Sequence, residues 1–222
     1  MEFIYSDGGR SNYFKAKGVG DCVTRAICNA TGKDYKEVYD ALKELASHER
    51  TGRRKKEKSS VRDGVYKNTV KKYIEGVLGW KWVPTMKVGV GCMAHLNRDE
   101  LPNNQTIIVK ISKHLTCIKD GIIYDTYNCS EMDVYDENGF LESRSDDRAV
   151  YGYWIAPTED ELKIFKQGKK EIAQAKEKDN IIKEQKKKIR YQYQLKISKL
   201  EREIAKLKKL RDNELNSLLV AY

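Results

Sequence analysis

The sequence predicts an α+β protein in which a domain over residues 1–157 is followed by a long helix over residues 158–222. Three observations lead to this fold class. Segments with apolar residues at helical spacing come first, segments typical of β-strands follow them, and the final segment is charged, free of proline and interrupted only by Gly168. Because the helical and strand segments are segregated along the chain, we expect a sheet that is mostly antiparallel.

Three helices are expected in the first half of the domain. The first covers Cys22 to Ala30 and stops at Gly32, since glycine is common just after the last turn of a helix. The second covers residues 35–47 and begins after Asp34, whose side chain can cap free N–H groups of the first turn. The third covers Asn68 to Leu78. Their apolar stripes are expected to face one core.

Strand-like runs follow the helices. They cover Trp80 to Val83, Thr106 to Ile111 and Val150 to Ile155, and they are rich in β-branched and aromatic residues. A short helix is expected from Met93 to Leu96, after a glycine-containing turn at Val88 to Gly91. Together with the hairpin described next, these runs supply at least four strands.

The segment from His114 to Tyr127 is predicted to form a β-hairpin. Two apolar runs flank Asp120-Gly121, and this pair favours a two-residue turn in which both positions have positive φ. Counting back from the turn places His114 and Asp125 on the same face as diagonal neighbours, about 7–8 Å apart at Cα. We therefore expect a hydrogen bond between the imidazole and the carboxylate.

Cys22 is predicted to lie in the first turn of the first helix. Unpaired backbone N–H groups and the positive end of the helix dipole favour a thiolate there, so this cysteine is expected to have a low pKa. The alternative is an ordinary buried cysteine, since a free cysteine commonly behaves as a small apolar residue. The predicted hairpin favours the first interpretation, because Cys22, His114 and Asp125 then supply a nucleophile, a base and an orienting group.

The stretch around the first helix resembles the papain-like superfamily of cysteine peptidases. It is most similar to the small branch that includes the bacteriocin-processing peptidases, in which an Asp-Cys pair opens the helix as Asp21-Cys22 does here. The segment Gly20 to Ala26 also resembles the Asp-Gly-x-Cys-x-x-Arg-Ala pattern of ovarian-tumour-type deubiquitinases, although Val19 stands where that family has Asp. The resemblance implies a papain-like fold over about residues 10–157 and thiol-dependent hydrolysis of peptide or isopeptide bonds, with no cofactor.

One feature of the papain-like pattern is missing. In that superfamily a glutamine about six residues before the cysteine helps to bind the oxyanion, but the matching position here is Ala16, and no glutamine precedes Cys22. The oxyanion would then be bound by the backbone N–H of Cys22 and by a second donor, for which Asn12 is the candidate. A domain that has lost catalysis and only binds partners stays open as the alternative.

A zinc site and a different orienting residue are competing interpretations of these side chains. Cys92-x-x-His95 and His114-x-x-Cys117 have the spacing of zinc ligands, but the odd separation puts His114 and Cys117 on opposite faces of one strand, so no metal is expected. Asn128 could orient His114, as an asparagine does in papain, but the hairpin register puts it on the other face. His95, with no acid on a defined face beside it, is expected to be a surface histidine.

The composition is that expected of an intracellular protein. The five cysteines are odd in number and irregularly spaced, which is typical of reduced thiols rather than of a disulfide framework. No apolar run approaches the roughly 18 residues of a membrane span, and the first residues do not resemble a signal peptide. We therefore expect a cytoplasmic protein without membrane contact. The resemblance suggests a microbial or viral source, with the virion as a further location.

Positive charge is concentrated in the tail and in one loop. Residues 158–222 contain 18 Lys and Arg against 11 Asp and Glu, which accounts for +7 of the net charge of +10. The loop carries Arg53, Arg54, Lys55 and Lys56, which are candidate contacts to a substrate or partner unless they are simply solvated.

The tail itself predicts a binding surface. Apolar residues recur at heptad spacing from Ile197 to Leu207, and a lone helix cannot bury such a stripe, so we expect Ile197 to Leu218 to mediate self-association or docking on a protein partner. The lysine-rich segment from Lys183 to Arg190 makes nucleic acid a further candidate partner.

Overall fold

A computed structural model of the chain describes residues 1–15, 20–53, 56–130, 132–135, 138, 141–145 and 148–220. The chain divides into two units, Met1–Leu162 and Lys163–Tyr222. The helices are a 3-10 helix (Arg10–Asn12), α1 (Cys22–Thr31), α2 (Tyr35–Ser47), α3 (Lys67–Ile74) and α4 (Glu159–Val220). The strands are β1 (Glu2–Tyr5), β2 (Lys81–Pro84), β3 (Met86–Lys87), β4 (Gly91–Cys92), β5 (Thr106–Ile111), β6 (His114–Lys119), β7 (Ile122–Asp125), β8 (Met132–Tyr135), β9 (Leu141–Ser145) and β10 (Gly152–Ile155).

Six of these strands form one mixed sheet in the order β1-β7-β6-β5-β10-β2. Neighbouring strands are antiparallel except β1 and β7, which run parallel. β3 pairs with β4, and β8 pairs with β9. The predicted α+β class and the mostly antiparallel sheet are therefore confirmed. β1, an edge strand at the start of the chain, was not predicted.

The β6–β7 hairpin has the register that the turn predicts. Its pairs are Cys117 with Tyr124, Ile118 with Ile123, and Lys119 with Ile122. Asp120 and Gly121 have φ values of 48° and 79°, as a two-residue turn of this type requires. As a result, His114 at the start of β6 and Asp125 at the end of β7 lie at the same end of the hairpin.

α1 and α2 form as predicted and cover one face of the sheet. Gly32 caps the end of α1, and the side chain of Asp34 accepts a hydrogen bond from the N–H of Glu37 at the start of α2. The core on this side contains these buried residues: Val23, Ile27, Val38, Leu42, Val70, Ile74, Ile108, Leu115 and Trp154. Burying each large apolar side chain stabilises the fold by about 1.5–3 kcal/mol. This packing holds α1, and thus Cys22, against β6.

A second core lies against the other face of the central strands. It contains Leu96, Leu101, Ile107, Val109, Ile118, Ile123 and Val150. β5 and β6 are therefore covered on both faces, which explains why both strands read as continuous apolar runs.

Two sequence predictions in this region are wrong. Residues 93–96 are not helical, because their backbone groups bond to distant segments: the N–H of Met93 to the carbonyl of Thr85, and the N–H of Leu96 to the carbonyl of Arg148. α3 ends at Ile74 rather than near Leu78, and Val77, which lies beyond its end, is 46 % exposed.

α4 is continuous through Gly168, and the apolar residues of the predicted heptads are exposed on it. Ile197, Leu200, Ile204 and Leu207 each expose at least 52 % of their surface. Among the described residues, none of the helices combines the length and apolar character needed to cross a bilayer.

Candidate active site

The chain packs closely where it enters α1 at Cys22. An added Cβ atom at Gly20 would lie 3.2 Å from the backbone carbonyl of Asp63, in the loop before α3. Because that neighbour is backbone, a larger residue at position 20 would push the loop and the start of α1 apart. Ala16, the position that lacks the glutamine of the papain-like pattern, lies outside the described residues.

The half-buried thiol of Cys22 forms a hydrogen bond with the imidazole of His114 and accepts another from the backbone N–H of Leu115. Burial by itself would raise the pKa of this thiol. The hydrogen bond and charge of His114, together with the N–H of Leu115 and the charge of Arg25, outweigh burial and lower the pKa of Cys22. The site therefore favours a thiolate.

His114 also contacts Asp125. Its Nε2 lies 2.7 Å from Oδ2 of Asp125, which leaves the other ring nitrogen for the thiol of Cys22. Burial by itself would lower the pKa of His114, but the hydrogen bonds to Asp125 and Cys22 and the charges of both groups raise it to about 9. The imidazole is therefore held in its charged form next to the thiolate, and the two charges stabilise each other.

Asp125 is held in place by several donors. Besides His114, its carboxylate accepts a hydrogen bond from the N–H of Thr126 at 2.7 Å and one from the hydroxyl of Thr126 at 3.5 Å. Burial by itself would raise the pKa of Asp125, but the hydrogen bond and charge of His114 and the N–H of Thr126 lower it. A carboxylate that is charged and fixed in this way can orient the imidazole and stabilise its positive charge.

Asp21 occupies the N-cap position of α1, but its side chain does not cap the helix. The buried carboxylate instead binds Nε of Arg10 at 2.7 Å, the guanidinium of Arg25 and the hydroxyl of Tyr35. Arg25 reaches towards the catalytic candidates as well, since its Nη2 lies 3.8 Å from Oδ1 of Asp125. Arg25 therefore links the carboxylate beside Cys22 to the carboxylate beside His114.

Sequence analysis predicted no role for Arg10 or Tyr35 in this cluster. The Asp21–Arg25 pair carries a local signal, because residues four apart lie on one face of a helix. Arg10 and Tyr35 come from the 3-10 helix and from α2, so only the tertiary fold brings them to Asp21.

A metal would have to compete with these hydrogen bonds. The potential ligand atoms of His114, Asp125 and Cys129 lie within 4.8 Å of one another. However, His114 and Asp125 already bind each other, and burial raises the pKa of Cys129 to about 11, so that its thiol keeps its proton at neutral pH. The arrangement favours a hydrogen-bonded pair over a metal centre.

Among the described residues, the four zinc candidates of the sequence do not form a group that could hold a metal ion. The thiol of Cys92 contacts the carbonyl of Ala94. His95 has an acidic neighbour after all, because its Nδ1 lies 3.1 Å from Oε2 of Glu100. Asn128, the alternative orienting residue, accepts hydrogen bonds from Ser130.

The remaining candidates lie at the surface or outside the described residues. Asn12 is exposed in the 3-10 helix, and its role as an oxyanion donor stays a prediction. Arg53 and Lys56 are exposed in the loop between α2 and α3, whereas Arg54 and Lys55 lie outside the described residues.

A pocket opens beside the thiol and the imidazole. It has a volume of about 190 Å³, and its wall includes Cys22 and His114. Tyr127 packs on the imidazole, with ring centroids 5.0 Å apart, and its own ring is 45 % exposed. The reactive pair is thus reachable from a defined cavity.

Comparison of the chain with family models, with curated proteins and with solved structures finds no match. The site itself therefore indicates what chemistry is possible. A half-buried thiol with a lowered pKa, a charged imidazole and a fixed carboxylate can carry out nucleophilic attack and proton transfer.

Proposed function

We propose that this protein is a thiol-dependent hydrolase of peptide or isopeptide bonds, with Cys22 as nucleophile, His114 as acid and base, and Asp125 as orienting group. One observation carries the proposal: a continuous chain of hydrogen bonds runs from the Cys22 thiol through the His114 ring to the Asp125 carboxylate, and it lowers the pKa of the nucleophile while raising that of the base. The resemblance of Asp21-Cys22 to the papain-like pattern adds to it.

The reaction would proceed in two steps. In the first, the Cys22 thiolate attacks the scissile carbonyl, and the tetrahedral intermediate collapses to a thioester as the His114 imidazolium gives its proton to the departing amine. In the second, neutral His114 takes a proton from water as the water oxygen attacks the thioester. The carboxylic acid leaves, and the thiolate and imidazolium are restored. Asp125 stays ionised throughout and holds the ring in place.

The proposed reaction also needs donors that bind the oxyanion. The backbone N–H of Cys22, in the first turn of α1, is one available donor, and Asn12 is the proposed second donor. Losing one such donor typically costs about a hundred- to a thousandfold in rate. A weak enzyme, or a domain that uses its pocket only to bind, is therefore the alternative within this proposal.

A thiol-reactive activity probe tests the triad. We expect wild-type protein to be labelled at Cys22, Cys22→Ala to lose that label, and His114→Ala to be labelled at Cys22 far more slowly. Cys92→Ala is the matched control, since Cys92 is also only partly buried but contacts the carbonyl of Ala94 rather than an imidazole. Equal labelling of all four proteins would falsify the triad.

A second candidate function belongs to α4, as a partner-binding helix. The exposed apolar residues from Ile197 to Leu207 favour pairing with a second copy or with another protein, and the lysines before them make nucleic acid an alternative partner. In sedimentation, self-association should survive high salt in wild type and be lost in Leu200→Lys/Leu207→Lys. A complex with nucleic acid should instead weaken steeply with salt. Monomers at every salt concentration would remove the self-association proposal.

The proposed location is a reducing compartment such as the cytosol of a cell, or a virion assembled there. All five cysteines are free, which fits a compartment that keeps thiols reduced. A reduced environment would also keep Cys22 active. Labelling of free thiols in freshly lysed source cells, before and after reduction, tests this location. Cys22 should already be free before reduction.

A further inference from the structure

The pocket beside Cys22 has an apolar floor. The residues of this floor come from α1, the loop before α3, α3 and the sheet: Val23, Val65, Val70, Ile111, Leu115 and Trp154. At about 190 Å³ the pocket is smaller than the roughly 300–1,000 Å³ of typical small-molecule sites. It is therefore suited to a single apolar side chain of a peptide whose backbone continues outside.

Three lysines also line the same pocket. Lys67 begins α3, Lys110 lies near the end of β5, and Lys113 lies in the turn before His114. Of the described residues that line this pocket, none is acidic. Within the part of the chain that the structure describes, these lysines also form no ion pair, whereas Lys71, one turn further along α3, pairs with Glu75.

The charges of Lys67 and Lys110 are close enough to act on one another. Lys110 is half-buried, and burial together with the charge of Lys67 lowers its pKa. Positive groups that repel each other at the edge of a low-dielectric pocket attract an anion, because the anion relieves both the repulsion and the loss of solvent.

We propose that the apolar floor binds one side chain of the peptide substrate and that Lys67, Lys110 and Lys113 bind a carboxylate next to that side chain. This proposal rests on the proposed hydrolase function of Cys22 and narrows its substrate to peptides with an apolar residue beside a carboxylate. The carboxylate comes either from an internal Asp or Glu or from a free C-terminus.

A pair of small alkylating reagents measures the effect of the lysines at the reactive sulfur. Iodoacetate and iodoacetamide are similar in size, and the Cys22 thiolate displaces iodide from each to form a thioether, but only iodoacetate carries a carboxylate. The measured quantity is the ratio of the two second-order rate constants at Cys22, obtained on the full chain by mass spectrometry.

We expect Lys67→Gln/Lys110→Gln/Lys113→Gln to lower the iodoacetate-to-iodoacetamide ratio by about three- to tenfold, since each charge pair at a partly exposed site contributes only modestly. The matched control is Lys36→Gln/Lys71→Gln/Lys119→Gln, which removes the same charge from outside the pocket and should keep the ratio within about twofold of wild type. Added salt should lower the iodoacetate-to-iodoacetamide ratio of wild type. The ratio of the variant that lacks the three pocket lysines should stay nearly constant.

The outcomes separate this proposal from the proposed function. If Cys22 reacts no faster than free cysteine with either reagent, the thiol is not activated, and both proposals fail. If Cys22 reacts fast but the pocket variant keeps the wild-type ratio, the lysine proposal alone is overturned. Should circular dichroism find the triple variant unfolded, Lys113→Gln replaces it, with an expected fall of about twofold and an unchanged ratio as the contrary result.

Peptides identify the source of the carboxylate. Protection of Cys22 against iodoacetamide is compared for acetyl-Gly-Leu-Glu-Gly-amide, the same peptide with Gln in place of Glu, and acetyl-Gly-Leu with either a free or an amidated C-terminus. Stronger protection by the Glu peptide supports an internal acidic residue, and stronger protection by the free C-terminus supports a terminal carboxylate. Equal protection by charged and neutral peptides overturns the proposal.

Discussion

The two ends of α1 each carry a cysteine, and the two thiols have opposite properties. At the start of the helix, the partners of Cys22 overcome burial and lower its pKa. In the last turn, burial together with the charges of Asp34 and Glu37 raises the pKa of Cys28 to about 12. The helix dipole acts in the same direction, since it favours negative charge at the N-terminus and opposes it at the C-terminus.

The groups that contact the two thiols, more than burial, make their pKa values differ. Burial is the largest influence on both cysteines and raises the pKa of each. Cys22 has an imidazolium beside it, whereas the Cys28 thiol donates a long hydrogen bond of 4.0 Å to the carbonyl of Asp34. A carbonyl cannot stabilise a thiolate. The difference fits the role of nucleophile proposed for Cys22, whereas Cys28 is part of the core.

The largest effect is expected from removing the imidazole. His114→Ala should slow alkylation of Cys22 by iodoacetamide at pH 7 about thirty- to a hundredfold, because a thiol with an ordinary pKa near 8.5 is only a few per cent ionised there. His95→Ala is the control, since His95 pairs with Glu100 and does not contact Cys22. An unchanged rate of alkylation in His114→Ala would mean that the imidazole is not the cause of the difference in pKa between Cys22 and Cys28.

The next effect concerns stability. Arg25→Gln should lower the free energy of unfolding by about 3 kcal/mol, because it leaves the buried carboxylate of Asp21 with one fewer cationic partner and removes the link to Asp125. Urea unfolding measures the change, with the exposed Arg62→Gln as control. A loss below about 0.5 kcal/mol, the range of ordinary surface substitutions, would mean that Arg25 is not needed to hold the start of α1.

A smaller effect is expected from Asp125→Asn, which keeps the shape of the side chain and removes its charge. The pKa of His114 should fall from about 9 towards the ordinary value of histidine, as measured by NMR titration of the ring. Alkylation of Cys22 at pH 7 should slow by about tenfold. Without a charged imidazole beside it, the thiol has a higher pKa, and a rise of one unit in that pKa corresponds to about a tenfold loss of thiolate. Asp63→Asn, in the exposed loop beside Gly20, should change neither quantity.

The smallest effect belongs to the other end of the helix. Cys28→Ala should reduce the free energy of unfolding by about 1 kcal/mol through lost packing, and it should leave alkylation of Cys22 within about twofold of wild type. Urea unfolding and the alkylation rate are measured on the same sample. A large change in Cys22 reactivity in Cys28→Ala would contradict our expectation that the two ends of α1 act independently.

The hairpin part of this site could be predicted from the sequence, because a local rule determines its register. Asp120-Gly121 fixes a two-residue turn, the turn fixes the register, and the register places His114 near Asp125. The end of α1 and the start of α2 are also local features, since Gly32 and Asp34 mark them.

Features that depend on distant pairing were missed. β1 pairs with β7 more than a hundred residues away, and nothing in four residues at the start of the chain reveals that partner. The expected helix at 93–96 failed for the same reason, because its backbone bonds to Thr85 and Arg148. The cluster around Asp21 likewise needs Arg10 and Tyr35 from separate elements.

The pH dependence of Cys22 alkylation by iodoacetamide tests the central claim most directly. In wild type the rate should rise through a Cys22 pKa below that of an ordinary thiol and stay level until His114 loses its proton near pH 9. In His114→Ala the level region should vanish and the rate should keep rising above pH 8, as for an isolated buried thiol. Identical profiles in the two proteins, both rising only above pH 8, would contradict the claim that His114 activates Cys22.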